Sequence, residues 1–319
     1  MEYLKTYNIF KLGDIAFEGN KSKDFSFGRF VENTIGDGIV SHVFVVFRPI
    51  NNFHNFDYWK YAINNENVMG RILARCTKKT TMMTNLVTTD FLTQKIYCPS
   101  LEEQAHIASF LSLIDQRIRK QKELLNALKK YKRGAIVYIL SGKTNKFAAE
   151  ASWTEKTLAD LCCEFRSGRN ISASRIHETG EYAVYGGNGI RGYCDHYNHE
   201  GEYVVVGRQG ALCGNVRLIQ GKNYLSEHAI AVRANDENDT KFLLFLLDFM
   251  KLGQYSDQGA QPGLAVNKLL KLKCTVPDKK TQSRIASFLL NIDLQIYNHE
   301  KMLSLLVDQW KAFLQQLFI

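Results

Sequence analysis

A long internal repeat constrains the fold of this chain more than any other feature of its sequence. Residues 99–118 read PSLEEQAHIASFLSLIDQRI and residues 277–296 read PDKKTQSRIASFLLNIDLQI, at a constant offset of 178 (277 minus 99). Two unrelated amphipathic helices would match in apolar class only, whereas these segments also share Gln, Ser and Asp at equivalent positions. The repeat therefore predicts two copies of one structural unit.

Each copy of the repeat is predicted to continue as a long helix. From Ile107 and from Ile285 onward, a seam of mostly apolar residues advances by alternating steps of four and three, the heptad pattern of a coiled coil. Each seam has a polar residue near its middle, Gln121 in the first and His299 in the second. We expect the two helices to pack antiparallel, because equivalent mid-helix positions then meet at the centre and place Gln121 close to His299.

The sequence before each helix also repeats, but with a shifting offset. Asp14 matches Asp160 at an offset of 146, whereas Ser41 matches Ser226 at an offset of 185. The difference (185 minus 146) leaves the first globular unit 39 residues shorter, and the loss falls between positions 16 and 40. The missing segment corresponds to the Gly-rich stretch 185–214 of the second unit. We therefore predict that the first unit is impaired in the function of that stretch.

The sequence thus predicts an α+β fold, with two globular units separated by two long helices that form an antiparallel coiled coil. The predicted boundaries are 1–100 for the shortened first unit, 101–145 for the first helix, 146–277 for the second unit and 278–319 for the second helix. In the second unit, short β-branched and aromatic runs between glycines predict strands and turns. The nearly continuous apolar stretch from Phe242 to Met250 predicts a buried helix.

Charge indicates the kind of partner. With 41 Lys and Arg against 32 Asp and Glu, the net charge is +9, which favours an acidic partner, most simply nucleic acid; a solvated basic surface is the alternative. Two Gly-rich loops, 186–198 and 207–215, carry side chains of the types that bond to base edges or stack on bases. The candidate DNA-binding residues are Asn188, Arg191, Tyr193, Arg208, Gln209, Asn215 and Arg217. The alternative is that the glycines serve tight turns only.

No catalytic motif survives inspection, so we expect the chain not to be an enzyme. Gly187, Gly189 and Gly192 satisfy GxGxxG, but the residues that follow favour strands and turns, so no phosphate-binding helix is predicted. The four prolines are never adjacent, which excludes the Asn/Asp-Pro-Pro-aromatic motif of adenine methyltransferases. His196 and His199 lack further clustered ligands, and a solvated loop is expected there in place of a metal site.

The cell compartment is predicted from what the sequence lacks. Seven cysteines without a CxxC pair support neither a disulfide framework nor a zinc ribbon, which favours a reducing cytoplasm. The first residues do not follow the pattern of a signal peptide, and no run of eighteen apolar residues occurs. Secretion and a membrane span are therefore not expected.

Taken with the tandem layout, these residues resemble the specificity subunit of type I restriction-modification systems. The resemblance is carried by PSLEEQAHIASFLSLIDQRI at 99–118, by its second copy at 277–296, and by YGGNGIRGY, GRQGALCGNV, SEHAIAV and QPGLAVNKL in the second unit. It covers essentially the whole chain. Two features depart from the family pattern: Lys279, Lys280 and Thr281 replace the usual Leu-Glu-Glu, and the first unit lacks its middle segment.

The resemblance implies a function that the residues alone do not specify. In this family each globular unit reads one half of a split double-stranded DNA target, and the helices act as a spacer and as docking sites. The subunit itself holds no cofactor and performs no chemistry. Its partners are methyltransferase subunits carrying S-adenosylmethionine and restriction subunits that use ATP and Mg.

The residues carried over as candidate partner-binding positions are Gln104, Phe110, Asp115, Gln282, Phe288 and Asp293. The alternative is a coiled-coil assembly or regulatory protein, derived from such a subunit, that no longer reads DNA specifically.

Overall fold

The computed structural model describes residues 6–23, 25–50, 54–79, 83–141, 152–210, 212–257 and 263–318. Contacts divide the chain into two units, one made of residues 1–124 and 299–319 and the other of residues 125–298. Both boundaries fall inside a long helix, so each unit contains the start of one long helix and the end of the other. Within the described residues, no helix is long and apolar enough to cross a membrane.

The first unit combines short strands, short helices and the beginning of a long helix. Its strands are β1 (Asn8–Phe10), β2 (Ile15–Glu18), β3 (Arg29–Glu32), β4 (Gly38–Val40), β5 (Val45–Phe47), β6 (Thr77–Lys79) and β7 (Thr84–Leu86). Its helices are α1 (Phe56–Ala62), α2 (Glu66–Cys76), α3 (Thr88–Leu92) and the first part of α4 (Leu101–Leu140). Strand β2 lies at the centre of a three-stranded antiparallel sheet, where Ile15 pairs with Glu32 of β3 and Phe47 of β5.

Two apolar clusters hold the first unit together. In one, Phe17 and Phe30 of the sheet pack with Leu73 of α2. In the other, Tyr58 and Tyr61 of α1 pack with Leu111 of α4, and Phe318 at the end of the chain completes the cluster. The second cluster explains why the two ends of the sequence belong to one unit.

The second unit is richer in strands. Its elements are β8 (Thr154–Thr157), α5 (Leu158–Leu161), β9 (Cys162–Ser167), β10 (Tyr182–Gly186), β11 (Gly189–Cys194), β12 (His199–Glu200), β13 (Tyr203–Gly207), β14 (Val216–Ile219), β15 (Lys222–Leu225), β16 (Ala229–Ala234), α6 (Thr240–Phe249), α7 (Val266–Leu269), β17 (Lys273–Val276) and the first part of α8 (Lys279–Leu317). Two 3₁₀ turns, Ala173–Arg175 and Leu252–Tyr255, lie between them.

Two four-stranded sheets form the body of the second unit, with strand orders β14-β13-β16-β9 and β11-β10-β15-β12. The predicted strands in YAVYGG, EYVVVGRQG, NVRLIQG and HAIAVR are confirmed as β10, β13, β14 and β16. The predicted buried helix is confirmed as α6, in which Phe242, Leu243 and Phe245 are almost completely inaccessible to solvent. The GxGxxG motif runs into strand β11, and the residues after Gly192 form strand and turn, as expected, and not a helix.

The antiparallel packing of α4 and α8 is confirmed within each unit. In the first unit, Leu111 near the start of α4 lies in one cluster with Phe313 near the end of α8. In the second unit, Lys132 Nζ of α4 contacts Asp293 Oδ1 near the start of α8 at 2.5 Å. Every residue of the two predicted seams is buried or half-buried.

The two central polar residues meet as predicted. Gln121 Nε2 lies 2.8 Å from Nδ1 of His299 and donates to the backbone oxygen of His299 at 3.0 Å. Because a polar pair inside an apolar seam is satisfied only in one alignment, this contact is suited to setting the register of the two helices.

The segments that precede each helix also match in structure. Strand β5 pairs antiparallel with β2, just as β16 pairs with β9. Each equivalent strand follows the same turn, in which Phe44 N–H donates to Ser41 O and Ala229 N–H donates to Ser226 O, both at 3.0 Å.

Between positions 16 and 40, however, the described residues of the first unit form only β3 and β4 beyond the end of β2. The corresponding stretch of the second unit supplies strands to both four-stranded sheets. The predicted boundaries at 100, 145 and 277 stay a prediction, because contacts group part of each long helix with each unit.

Candidate nucleic-acid interface

A tight turn in the second unit presents Asn188 to solvent. Strands β10 and β11 form a hairpin in which Gly186 pairs with Gly189, leaving Gly187 and Asn188 at its tip. Gly189 has φ of +104°, a conformation that side-chain-bearing residues rarely adopt. The turn therefore requires glycine after the exposed asparagine.

A second loop, residues 207–215, joins β13 to β14. Gly207 N–H donates to Asn215 O and Gly214 N–H donates to Gly207 O, each at 2.8 Å. These two bonds join the two ends of the loop, and the side chain of Asn215 is exposed there.

The two loops touch through their glycines. A Cβ built on Gly207 would lie 2.3 Å from the backbone oxygen of Gly187, and a Cβ built on Gly187 would lie 2.5 Å from that of Gln209. Any side chain at either position would force the loops apart. These two glycines are thus explained by contact between the loops.

Four of the seven predicted DNA-binding residues, Asn188, Arg191, Asn215 and Arg217, are exposed. Their side chains form no hydrogen bond with any described residue. The guanidinium of Arg217 lies over Gly189, where a built Cβ would be 3.1 Å from its Nη1, and the stem of Arg191 lies over Gly186. Two arginines and two amides are therefore arranged around the contacting loops, with donors available to an external ligand.

Arg208 and Gln209 are half-buried and already bonded within the chain. Arg208 donates to Glu227 O at 3.3 Å and to Leu264 O at 3.4 Å. Gln209 Oε1 lies 2.6 Å from Nδ1 of His228. These two side chains support the loop, and each still has donor groups that a ligand could use.

Tyr193 lies apart from this group. It is four residues beyond Gly189 on β11, which corresponds to about 13 Å along an extended strand. Its backbone exchanges two hydrogen bonds with His177, at 2.8 and 2.9 Å. DNA contact by Tyr193, like contact by the other six residues, stays a prediction.

Sequence inspection missed His228 and Glu227. His228 lies where the loops meet: its backbone oxygen accepts from Arg208 N–H at 2.9 Å, and a Cβ on Gly187 would lie 3.2 Å from that oxygen. Both residues occur in SEHAIAV, which entered the predictions only through the repeat and the family resemblance. The available signal was a Glu-His pair directly before an apolar strand.

The two glutamines among the candidate partner-binding residues are buried anchors. Gln104 Oε1 accepts from Asn55 N–H, the N-cap of α1, at 3.1 Å, and its Nε2 donates to Pro99 O at 2.9 Å. This amide therefore ties the start of α4 to the start of α1.

Gln282 makes the equivalent bonds in the second unit. Its Oε1 accepts from the N-cap of α6, Asp239 N–H, at 3.0 Å, and its Nε2 donates to Pro277 O at 2.9 Å. The identity of Pro and Gln in both repeats is thus explained by an internal anchor that each unit needs.

The two aspartates also have contacts within the chain. Asp115 accepts from the hydroxyl of Tyr61 at 2.6 Å; burial, and then this bond, raise the pKa of Tyr61. Asp293 pairs with Lys132. Both carboxylates remain about one-third exposed.

The two phenylalanines differ in their surroundings. Phe110 packs edge-on against Phe313, with ring centroids 5.0 Å apart. Phe288 lines a groove of about 740 Å³ with Tyr131 and Tyr138 of α4. A partner-binding role for all six residues stays a prediction.

The expectation of a solvated loop at both histidines is wrong for His199, which is buried. Its Nδ1 faces Asn198 Oδ1 at 2.6 Å and its Nε2 faces Glu164 Oε1 at 3.1 Å. Burial lowers the pKa of His199 more than the nearby carboxylate of Glu164 raises it. Among the described residues, no group of three or more potential ligands could hold a metal ion.

Comparison with known families places these features in context. The family model described as "Type I restriction modification DNA specificity domain" matches residues 1–130 and 150–306. The specificity subunit of the type I restriction enzyme EcoprrI from Escherichia coli is 43% identical over 148 residues, which are 45% of this chain and 37% of that protein. A putative type I specificity subunit of Mycoplasma pneumoniae is 28% identical over 134 residues, or 40% of this chain and 44% of that protein. The matched stretches thus span less than half the length of these curated relatives.

Solved structures show the same fold. A type I restriction-modification S subunit from M. genitalium superimposes with a TM-score of 0.68 at 19% identity, covering 99% of this chain and 85% of that one. The HsdS subunit from Thermoanaerobacter tengcongensis gives a TM-score of 0.53 at 16% identity, covering 97% and 81%. At these identities the likeness concerns the fold alone.

Proposed function

The chain belongs to the type I restriction-modification DNA specificity family, and we propose that it is the sequence-recognition subunit of such a complex. In this proposal it binds double-stranded DNA and directs methyltransferase and restriction subunits to a bipartite target. It acts in the cytoplasm and performs no chemistry itself. S-adenosylmethionine, ATP and Mg belong to the partner subunits.

One structural observation supports this proposal most directly. Four exposed Arg and Asn side chains without partners among the described residues surround two loops that touch through their glycines. Arginine and amide side chains are the groups that read guanine and adenine in the major groove.

The proposal is tested by sequencing modified bases in a host that expresses the chain with methyltransferase and restriction subunits of a type I system. We expect methylated adenines within one bipartite motif, and loss of the motif when the chain is omitted. A chain carrying Arg191→Ala and Arg217→Ala is the matched variant, and it should weaken recognition in one half only. Methylation that is independent of the chain would contradict the proposal.

The shortness of the first unit favours a second candidate function. Between positions 16 and 40 its described residues lack the strands that carry the candidate DNA-binding side chains in the second unit. A coiled-coil assembly or regulatory protein that no longer reads DNA specifically is therefore the alternative. Filter binding with and without the methyltransferase subunit separates the two, since the alternative expects no preference among duplexes in either case.

A further inference from the structure

His228 is held at both of its ring nitrogens. Its Nδ1 lies 2.6 Å from Gln209 Oε1, and its Nε2 lies 3.0 Å from Glu227 Oε1. Its backbone is equally constrained, because the oxygen accepts from Arg208 N–H and the preceding turn is closed by the bond from Ala229 to Ser226. The ring therefore has a set position beside the loop that carries Gln209.

This contact determines what Gln209 can present to a ligand. A glutamine amide has one acceptor and one donor group, and with both available it bonds to adenine in a bidentate manner. Here Nδ1 of His228 lies 2.6 Å from the acceptor oxygen of Gln209, which sets the orientation of the amide. The amide nitrogen of Gln209 has no hydrogen-bond partner among the described residues, so the amide presents its donor end to a ligand.

Gln209 belongs to the same surface as the exposed candidate residues. Its backbone oxygen is the atom that a Cβ on Gly187 would meet at 2.5 Å, and Gly187 adjoins Asn188 at the tip of the hairpin. The backbone of Gln209 therefore lies beside the hairpin tip that carries Asn188.

We propose that His228 is a positioning residue that turns the donor end of the Gln209 amide towards one base pair. The inference rests on the proposed function, DNA recognition by the second unit. A donor presented in this way favours base-edge acceptors, which are guanine O6 and N7, adenine N7 or thymine O4, over the bidentate adenine contact of a glutamine that is free to turn. Glu227 holds the other side of the ring and so keeps Nδ1 directed at Gln209.

The first unit has no equivalent of this arrangement. At the offset of 185, Glu227 corresponds to His42 and His228 to Val43, and the segment that contains Gln209 falls in the stretch that the first unit lacks. The proposed selection therefore acts on one half of the target only.

The test measures base preference at each position of the second half-site. The full chain, assembled with its methyltransferase subunits, selects duplexes from a library randomised in that half. We expect Gln209→Ala and His228→Ala to lower discrimination at the same single base pair, about fivefold to tenfold each. The double variant should lose no more than Gln209→Ala alone, because the two side chains act as one unit.

Two matched variants separate positioning from mere support of the fold. His228→Asn keeps a donor near the position of Nδ1 and should restore the preference, whereas His228→Gln keeps one near Nε2 and should not. Gln209→Glu replaces the donor by an acceptor and should move the preference towards cytosine, whose N4 donates. This last variant does not depend on the folding of a changed His228, and thermal unfolding midpoints check all of them.

The outcomes distinguish the inference from the function on which it rests. If the wild-type chain selects a motif while His228→Ala and His228→Gln keep its full base preference, the inference is overturned and DNA recognition stands. If His228→Asn is as defective as His228→Ala, or if Gln209→Glu leaves the base preference unchanged, the positioning role is overturned. A wild-type chain without any preference overturns both.

Discussion

Asp14 in the first globular unit and Asp160 in the second each accept a hydrogen bond from the backbone N–H three residues earlier, at 2.7 and 2.8 Å. The two glutamine anchors and the turns after Ser41 and Ser226 match in the same way. Between these shared points the units diverge, since the first has a three-stranded sheet and the second has two four-stranded sheets. These shared hydrogen bonds define a scaffold, and the segment between them differs between the two units. Such a difference is expected where the anchoring residues and the proposed DNA-reading residues are separate parts of the chain.

The largest expected effect comes from removing the glutamine anchor that each of the two units contains. Gln104→Leu or Gln282→Leu leaves the N–H of a half-buried N-cap residue and a proline oxygen without their partner. Each substitution should lower the free energy of unfolding by about 3 kcal/mol. Urea unfolding of both variants is the measurement. A large loss in one and none in the other would show that the anchors are not equivalent.

The next effect is a loss of DNA binding, and it is expected only from substitutions in the second unit. Arg191→Ala or Arg217→Ala is expected to weaken binding to the target by about 1–3 kcal/mol where the contact is bidentate to a base. Arg29→Ala is the matched control, because this exposed arginine of β3 is already paired with Glu18 at 2.7 Å. Footprinting of the assembled complex, together with titrations at several salt concentrations, measures the difference. Equal losses for all three variants would indicate general phosphate attraction.

The contact between the two loops provides a third test. Gly207→Ala should destabilise the second unit by about 2 kcal/mol, because its Cβ would lie 2.3 Å from the backbone oxygen of Gly187. Gly38→Ala in the first unit is the control, since nothing lies within 4 Å of its Cβ. Thermal unfolding compares the two. Full tolerance of Gly207→Ala would mean that the loops can separate without cost.

A smaller gain in stability is expected from a substitution that makes the two long helices more alike in sequence. Gly134 of α4 corresponds to Ala312 of α8 at the offset of 178, and a Cβ on Gly134 would meet nothing within 4 Å. Gly134→Ala is therefore expected to raise the free energy of unfolding by about 0.5–1 kcal/mol. Chemical denaturation measures the change, and a decrease would reveal a need for glycine in the groove beside Phe288.

The smallest expected effect is a difference between Asp14 and Asp160 in how each contributes to the pH dependence of stability. A bidentate bond from Arg48, at 2.6 and 2.7 Å, is the largest factor that holds the pKa of Asp14 below its usual value. The pKa of Asp160 is lowered chiefly by Thr157. A depressed folded-state pKa adds stability above the unfolded value of about 3.9, and that stability is lost as pH falls through the folded pKa.

Arg48→Ala should therefore lower the free energy of unfolding at neutral pH. The further decrease of that free energy below about pH 4 should be smaller than in the wild-type chain. Arg233→Ala, at the equivalent position, should leave the contribution of Asp160 intact. Urea unfolding at a series of pH values between 7 and 3 checks both expectations. An unchanged acid profile for Arg48→Ala would show that Asp14 depends on other partners.

The sequence by itself determined the repeat, the antiparallel helices and the central pair of Gln121 and His299. These features follow from periodicity, since a heptad seam and a constant offset leave few ways to bury both helices. It also located the strands of the second unit, because β-branched runs between glycines have few alternatives.

Only the tertiary structure decided which side chains meet. It brought His228 to Gln209, placed Gly207 against Gly187, and separated Tyr193 from the loops. It also showed that Gln104 and Gln282, which the family resemblance assigns to partner binding, anchor the cap of a neighbouring helix. Such contacts join residues from distant parts of the sequence, and their geometry depends on how strands and loops pack, which no local periodicity records.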